Sequence, residues 1–333
     1  MMKNFLVYFT LALVISACSN SSKLNVEKRK IALEEKAKSI NDDFYKIRNE
    51  VNWLAGQISK LYQKQDSILP HIDKSKYQLA ANGVFTKPVD DGGSAIFVSG
   101  YYPVNEEIKK IVYFTEPIDP VLKSIVTKFP EVVQAYYNDK SAINRIYPYF
   151  DVLSQYEAKM NIPEFNFYYL ADAAHNPKRE PVWVNEPYID PAGRGWMISA
   201  IAPVYFNNLL VGVPGIDITV NTVTERYIQD NPQNMTMIID NTGTIVSAQE
   251  AAINILSFPP LADHKYIETI KQDTYRKESF NLKLSKEENV REIATEVLDK
   301  KNNIFETEIN RNRLILISAH IKEMDWYLLE ILN

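Results

Sequence analysis

Apolar residues at Leu33, Ala37, Ile40, Phe44, Ile47, Val51, Leu54, Ile58 and Leu61 fall in alternating steps of four and three. That is a heptad seam held for about four repeats, and it commits residues 31–69 to one long helix. Charged and amide side chains fill the positions between, and Pro70 bars continuation. At 1.5 Å per residue such a helix is on the order of 45 Å long, more than one small domain spans. It must lie along two modules, pair with a second copy of itself as a homodimer, or do both.

Ahead of the seam, Lys3 precedes the run FLVYFTLALVIS, an apolar stretch too short to span a bilayer. Ile15-Ser16-Ala17-Cys18 follows, placing small residues before the single cysteine of the chain. The arrangement resembles a bacterial lipobox. By that resemblance residues 1–18 are a signal peptide, Cys18 carries the lipid, and residues 19–30 form a polar leash. The alternative is a buried cysteine in a signal anchor. With Cys18 so used, no thiol is left for disulfide or thiolate chemistry. No later run approaches the roughly 20 apolar residues of a spanning helix. The expected location is extracytoplasmic, with a lipid anchor in a bacterial membrane, facing the periplasm or the cell surface.

A chain of 333 residues, 46% hydrophobic and 24% charged, has material for two globular domains. Its net charge of −5, with no cluster of Lys or Arg, argues against nucleic acid as a partner. Aromatic content is tilted toward tyrosine, 20 against 4 Trp, and many tyrosines lie between 101 and 205. A phenol pairs an apolar face with a polar tip, which suits ligand pockets as well as half-buried strands.

After Pro70 short strand-like runs (GVFTK, AIFVSGYY, VVQAYY, PVWVNEPYI, WMISAIAPVYF, LLVGV, IDITV) alternate with helix-like segments at 105–115 and 119–128. Asn207-Asn208 marks a hairpin turn, and Pro214 predicts an edge strand or a bulge. A connecting segment, 219–234, closes a first module at 70–234. The second module, 235–333, opens with a hairpin around Asn241–Gly243. Ser285 and Glu288 have capping-box spacing ahead of VREIATEVL. Strands NIFETEI and LILISAHI flank an Arg-Asn-Arg turn, and DWYLLEIL forms a last strand. The predicted class is α+β, with two mostly antiparallel sheets.

Catalytic and metal signatures are absent from the sequence. His71, His175, His264 and His320 are far apart and lack ligand-type spacing, and no P-loop, dinucleotide fingerprint or nucleophile elbow occurs. The expectation is a binding protein without catalytic residues, metal or cofactor.

Four motifs occur together in one order: Pro187-Tyr188-Ile189-Asp190, Pro203-Val204-Tyr205, the G-x-x-G-x-D-I of Gly212–Ile218, and Asp325-Trp326-Tyr327. With the long helix, they make residues 30–333 resemble the double Cache (dCache) extracellular sensor domains of bacteria. The resemblance implies two PAS-like modules, with the ligand pocket in the membrane-distal one at 70–234 and a membrane-proximal module at 235–333. It implies that Tyr188, Asp190 and Asp217 face the pocket. An R-x-W-Y helix of amino-acid-binding members falls on Asn166-Phe167-Tyr168-Tyr169, so Tyr168 and Tyr169 are further pocket candidates.

At that helix this chain departs from the pattern, because Asn166 stands where the family has the arginine that clamps a carboxylate. An amide cannot replace a bidentate guanidinium. The residues that remain suit a cation: carboxylates for its hydrogen bonds and aromatic faces for its charge. Structural roles compete with these assignments: Asp217 could cap the connecting helix, and Asp190 could bond its own turn. Tyr136 and Tyr137 point to opposite faces of their strand, so one of them faces inward.

The expected ligand is a small amine-like or cationic metabolite. One alternative is an amino acid held by a relocated arginine, with Arg145, Arg179 and Arg194 as candidates. The other is an assembly lipoprotein with a degenerate pocket. Members of the family usually continue into a membrane helix and an output module, and neither follows here, so a signalling or transport partner is expected to receive the ligand.

Overall fold

The computed structural model describes residues 3–229, 234–259 and 277–333, with nothing described of the side chains before residue 24. The sheets are antiparallel throughout, and the α+β class holds. No helix among the described residues is long and apolar enough to cross a membrane. The Cys18 side chain, His264 and residues 230–233 of the connecting segment lie outside what is described.

Helix α1 runs from Lys3 to Gln63 without a break. Residues 19–30, read from the sequence as a polar leash, are helical as well, and the helix begins ahead of residue 31. No proline occurs between 3 and 63, so nothing stops propagation once the turn is nucleated. Two compact units share the chain: one contains α1 up to Asp42 and most of the chain from Asn231 on, the other is centred on Asp43–Asp230. The seam is spent inside the chain: Leu33, Ala37 and Ile40, and then Phe44, Ile47, Val51, Leu54 and Ile58, are all buried. These seam residues are therefore covered by the chain itself. At its end the buried residue is Tyr62, with the expected Leu61 half-buried. A straight helix of 3.6 residues per turn drifts about 20° per heptad, which moves the stripe by one residue over this length.

The larger unit holds nine strands: β1 (Gln78–Leu79), β2 (Phe85–Thr86), β3 (Ala95–Val98), β4 (Gln134–Asp139), β5 (Ile143–Tyr147), β6 (Val182–Ile189), β7 (Trp196–Ile201), β8 (Val204–Phe206) and β9 (Leu209–Thr219). Their order is β1-β2-β3-β5-β4-β9-β7-β6, with β8 also paired to β9. Strand β5, INRIY, was not among the strand-like runs of the sequence. Asn207 and Asn208 take positive φ in the turn between β8 and β9, as expected. Pro214, however, sits in an interior strand. It falls where the partner of β9 changes from β7, paired at residues 215–219, to β8, paired at 209–212, so its missing N–H is tolerated. Helices Glu106–Phe114 and Asp119–Lys128 cover one face of this sheet.

The second unit is a five-stranded sheet of β10 (Met235–Ile239), β11 (Ile245–Ala248), β12 (Ile304–Ile309), β13 (Asn312–Ile321) and β14 (Trp326–Leu332), in the order β11-β10-β14-β13-β12. Trp326, Leu328 and Leu329 are fully buried in its core. Asp240 shapes the first hairpin by accepting from the N–H groups of Thr242 and Thr244. The second turn lies at Asn310-Arg311, both with positive φ, one residue before the expected Arg-Asn-Arg. Two left-handed residues are what a two-residue hairpin requires. Ser285 accepts from the N–H of Glu287, while the helix itself starts at Glu288, so the expected capping box does not form.

Candidate functional site

Strand β4 separates two environments by simple alternation. Tyr137 and Asp139 turn toward α1, where the Tyr62 hydroxyl donates to Asp139 at 2.9 Å and lies 2.7 Å from the Tyr137 hydroxyl. Gln134, Tyr136 and Asn138 turn the other way and line a cavity with Asn144, Tyr156, Phe167, Tyr188, Asp190 and Asp217. Of the two adjacent tyrosines, Tyr136 is the inward one.

The close approach of β4 to β9 explains two glycines of the G-x-x-G-x-D motif. A Cβ on Gly215 would stand 2.1 Å from the Tyr136 ring, and one on Gly212 would stand 2.4 Å from the Tyr137 hydroxyl. Only glycine leaves room for those rings. Two residues beyond Gly215, Asp217 faces the same side of the strand as Gly215.

Register places Ser199, Asp217 and Gln134 in one row across β7, β9 and β4. The Ser199 hydroxyl donates to Asp217 Oδ1 at 2.5 Å, and Gln134 Nε2 donates to Oδ2 at 2.6 Å. Tyr188 reaches the same row, with its hydroxyl 2.6 Å from Ser199 Oγ. Burial pushes the Asp217 carboxyl up to about 7; the bonds from Gln134 and Ser199 oppose that rise, and the charge of Asp190 adds to it. Asp217 does not cap the following helix. Thr219 does so, accepting from the N–H of Thr222 at 2.9 Å.

Asp190 has both of the roles weighed for it. Its carboxylate lines the cavity and also accepts from the N–H groups of Ala192 and Arg194, at 3.0 and 3.3 Å, shaping the turn after β6. Burial raises its pKa, while the Ala192 N–H and the Arg194 charge oppose the rise.

Tyr168 and Tyr169 do not line the cavity. They sit on the single helical turn Asn166–Tyr169, from which Phe167 is the residue that points in, 5.4 Å from the Tyr188 ring. Tyr168 packs in the core, and Tyr169 lies on the surface with its ring 5.1 Å from that of His175. In a one-turn helix, neighbours one apart diverge by about 100°, so only one of these aromatics can face inward.

Of the arginines, Arg145 alternates with Asn144 and Ile146 on β5 and so faces away from the cavity; it is buried against Asp119, at 2.7 Å, and the Val112 carbonyl. Arg179 covers the Tyr205 ring at 4.0 Å. Of these three, Arg194 is the one that approaches the site, held by the carbonyls of Val133 and Pro148 at 3.2 and 3.4 Å.

Two buried polar atoms of the cavity have no hydrogen-bond partner among the described residues: Gln134 Oε1 and Asn138 Nδ2. Leaving such atoms bare costs about 1–3 kcal/mol each, which a bound polar molecule offsets. The space is narrow. About 20 Å³ is reachable by the centre of a water molecule, and about 320 Å³ is free when the mouth is included. Gln134, Tyr136 and Asn138 carry a sequence signal, alternating polar and aromatic residues along a buried strand. Asn144 and Tyr156 carry none, because their contacts are long-range.

No family model matches the sequence. Solved structures do. The extracellular domain of a protein described as a histidine kinase, mmHK1S-Z3, superposes on 93% of this chain and 95% of its own length with a TM-score of 0.54 at 11% identity. That of mmHK1S-Z2 gives 0.53 at 14% identity over 93% and 97%. That of soHK1S-Z6 gives 0.50 at 12% identity over 94% and 97%. Together with the long helix and the two antiparallel sheets, these matches identify the chain as having the double Cache fold.

Proposed function

We propose that this chain is an extracytoplasmic, lipid-anchored ligand-binding protein of sensory type, whose cavity takes a small amine-like or cationic metabolite for presentation to a partner. One observation carries the reading. Two buried carboxylates, Asp190 and Asp217, share one cavity with Tyr136, Tyr156, Phe167 and Tyr188, and among the described residues no lysine or arginine lines it. A cation would relieve their repulsion and meet aromatic faces, each worth about 0.5–2 kcal/mol to it. Sequestered carboxylates of this kind are costly to the empty protein, which supports a binding role.

A second reading rests on Arg194. Its guanidinium is held by neutral carbonyls beside Gln134, so a ligand carboxylate at the mouth would compete well for it. In that case the ligand is an amino acid, with its ammonium between the aspartates.

A thermal-shift screen of primary and methylated amines against amino acids separates the two. Ligand at 100 times its dissociation constant stabilises by about 2.7 kcal/mol. Shifts confined to amines support the first reading, shifts confined to amino acids support the second, and a flat response to both panels contradicts each.

A further inference from the structure

Gln134, Tyr136 and Asn138 share one face of β4, so the cavity has two ends. At one, Gln134 sits with Asp217, which is paired to it across the sheet. At the other lies an amide relay. The Tyr156 hydroxyl donates to Asn144 Oδ1 at 3.4 Å, and Asn144 Nδ2 donates to Asn138 Oδ1 at 2.7 Å. Asn138 Nδ2 then remains as a donor, fully buried and without a partner among the described residues. The relay fixes the orientation of that amide: turned the other way, it would set two NH2 groups against each other.

We propose that the ligand is elongated, carrying its cation at the Asp190–Asp217 end and an uncharged hydrogen-bond acceptor, such as a carbonyl, at the Asn138 end. This rests on the amine reading and narrows it. Four residues of strand put the two ends about 13 Å apart at Cα. Allowing a hydrogen bond of about 3 Å at each end leaves roughly 7 Å between cation and acceptor, the reach of a chain of about six bonds. Tyr136 lies midway and offers its ring to the body of the ligand. Met160, Ile162 and Phe167 form the wall opposite the sheet and must move outward to admit it, because the closed space holds little more than a water molecule.

The test uses three probes in titration calorimetry: methyl 6-aminohexanoate, with cation and acceptor; heptylamine, with the cation alone; and 1,6-diaminohexane, with a cation at both ends. The parent should bind the ester at least tenfold more tightly than either of the others. Asn138→Asp keeps the oxygen that Asn144 bonds and exchanges the free donor for a charge, so it should reverse the order and prefer the diamine. Equal affinity of the parent for ester and heptylamine overturns the two-ended site while leaving the amine reading intact. Failure of all three probes to bind the parent overturns both. The parent series decides the matter even where the variant folds poorly.

Discussion

Gln134 and Asp217 face each other across β4 and β9 and share a 2.6 Å hydrogen bond, Nε2 to Oδ2, at the floor of the cavity. With Ser199 on the other flank, the Asp217 carboxylate is held in place yet remains deeply buried. The empty protein therefore carries a strained charge above about pH 7.

That charge has a stability consequence. The folded pKa of Asp217, about 7, is raised above the ordinary carboxylate value, so the folded state binds the proton more tightly than the unfolded chain does. Its contribution to stability is lost as pH rises from about 4 to 7, and the cost is fully present above that. Asp217→Asn should stabilise the empty protein relative to the parent by up to a few kcal/mol at pH 8 and by little at pH 4. Denaturant titration at both values checks this; equal effects at the two would contradict it.

Gly215→Ala should be costly out of proportion to one methyl group. The new Cβ meets the rigid Tyr136 ring at 2.1 Å, and overpacking of this kind costs about 1–3 kcal/mol. Trimming the ring should relieve it, so Gly215→Ala and Tyr136→Ala should be coupled in a double-mutant cycle by more than about 1 kcal/mol. Additive effects would mean that the ring does not lie on that glycine.

These two residues also show what a sequence can reveal. The long helix and most strand runs were legible from periodicity, whereas the placing of Tyr188, Asp190 and Asp217 on one cavity was implied by the family resemblance alone. Phe167 was not: the motif marked a helix of four residues, and which of its aromatics turns inward depends on a rotation that spacing alone leaves free. Asn144 and Tyr156 were equally hidden, because a relay between β5 and an irregular segment depends on tertiary packing. The helical state of residues 19–30 was hidden as well, since polar residues without proline permit helix as readily as coil.

Helix α1 gives a clear stability test. Val51 is fully buried, so Val51→Glu places a charge in the core and should destabilise by about 3 kcal/mol or more. Sedimentation should find no parent dimer that this substitution dissociates, because the seam is already covered by its own chain. A dimer lost on substitution, with stability otherwise unchanged, would reverse that conclusion.

Lipid anchoring is tested at Cys18. Cys18→Ser should abolish incorporation of labelled fatty acid and leave the leader uncleaved in a bacterial host. Normal labelling of the serine variant would sink the lipobox reading.

The central claim is that the cavity recognises a cation through Asp217. Titration calorimetry of amines paired with their carboxylated α-amino acids, on the parent and on Asp217→Asn, tests it most directly. The parent should prefer the amine of each pair. Affinity should fall about tenfold from pH 8 to pH 6 as the carboxylate protonates, with close to one proton released on binding at pH 6. Asp217→Asn should weaken amine binding more than tenfold, the loss of a charge-assisted contact worth about 1.5–3 kcal/mol, and remove the pH dependence. Tighter binding of the amino acids, or amine affinity unmoved by Asp217→Asn, would contradict the account.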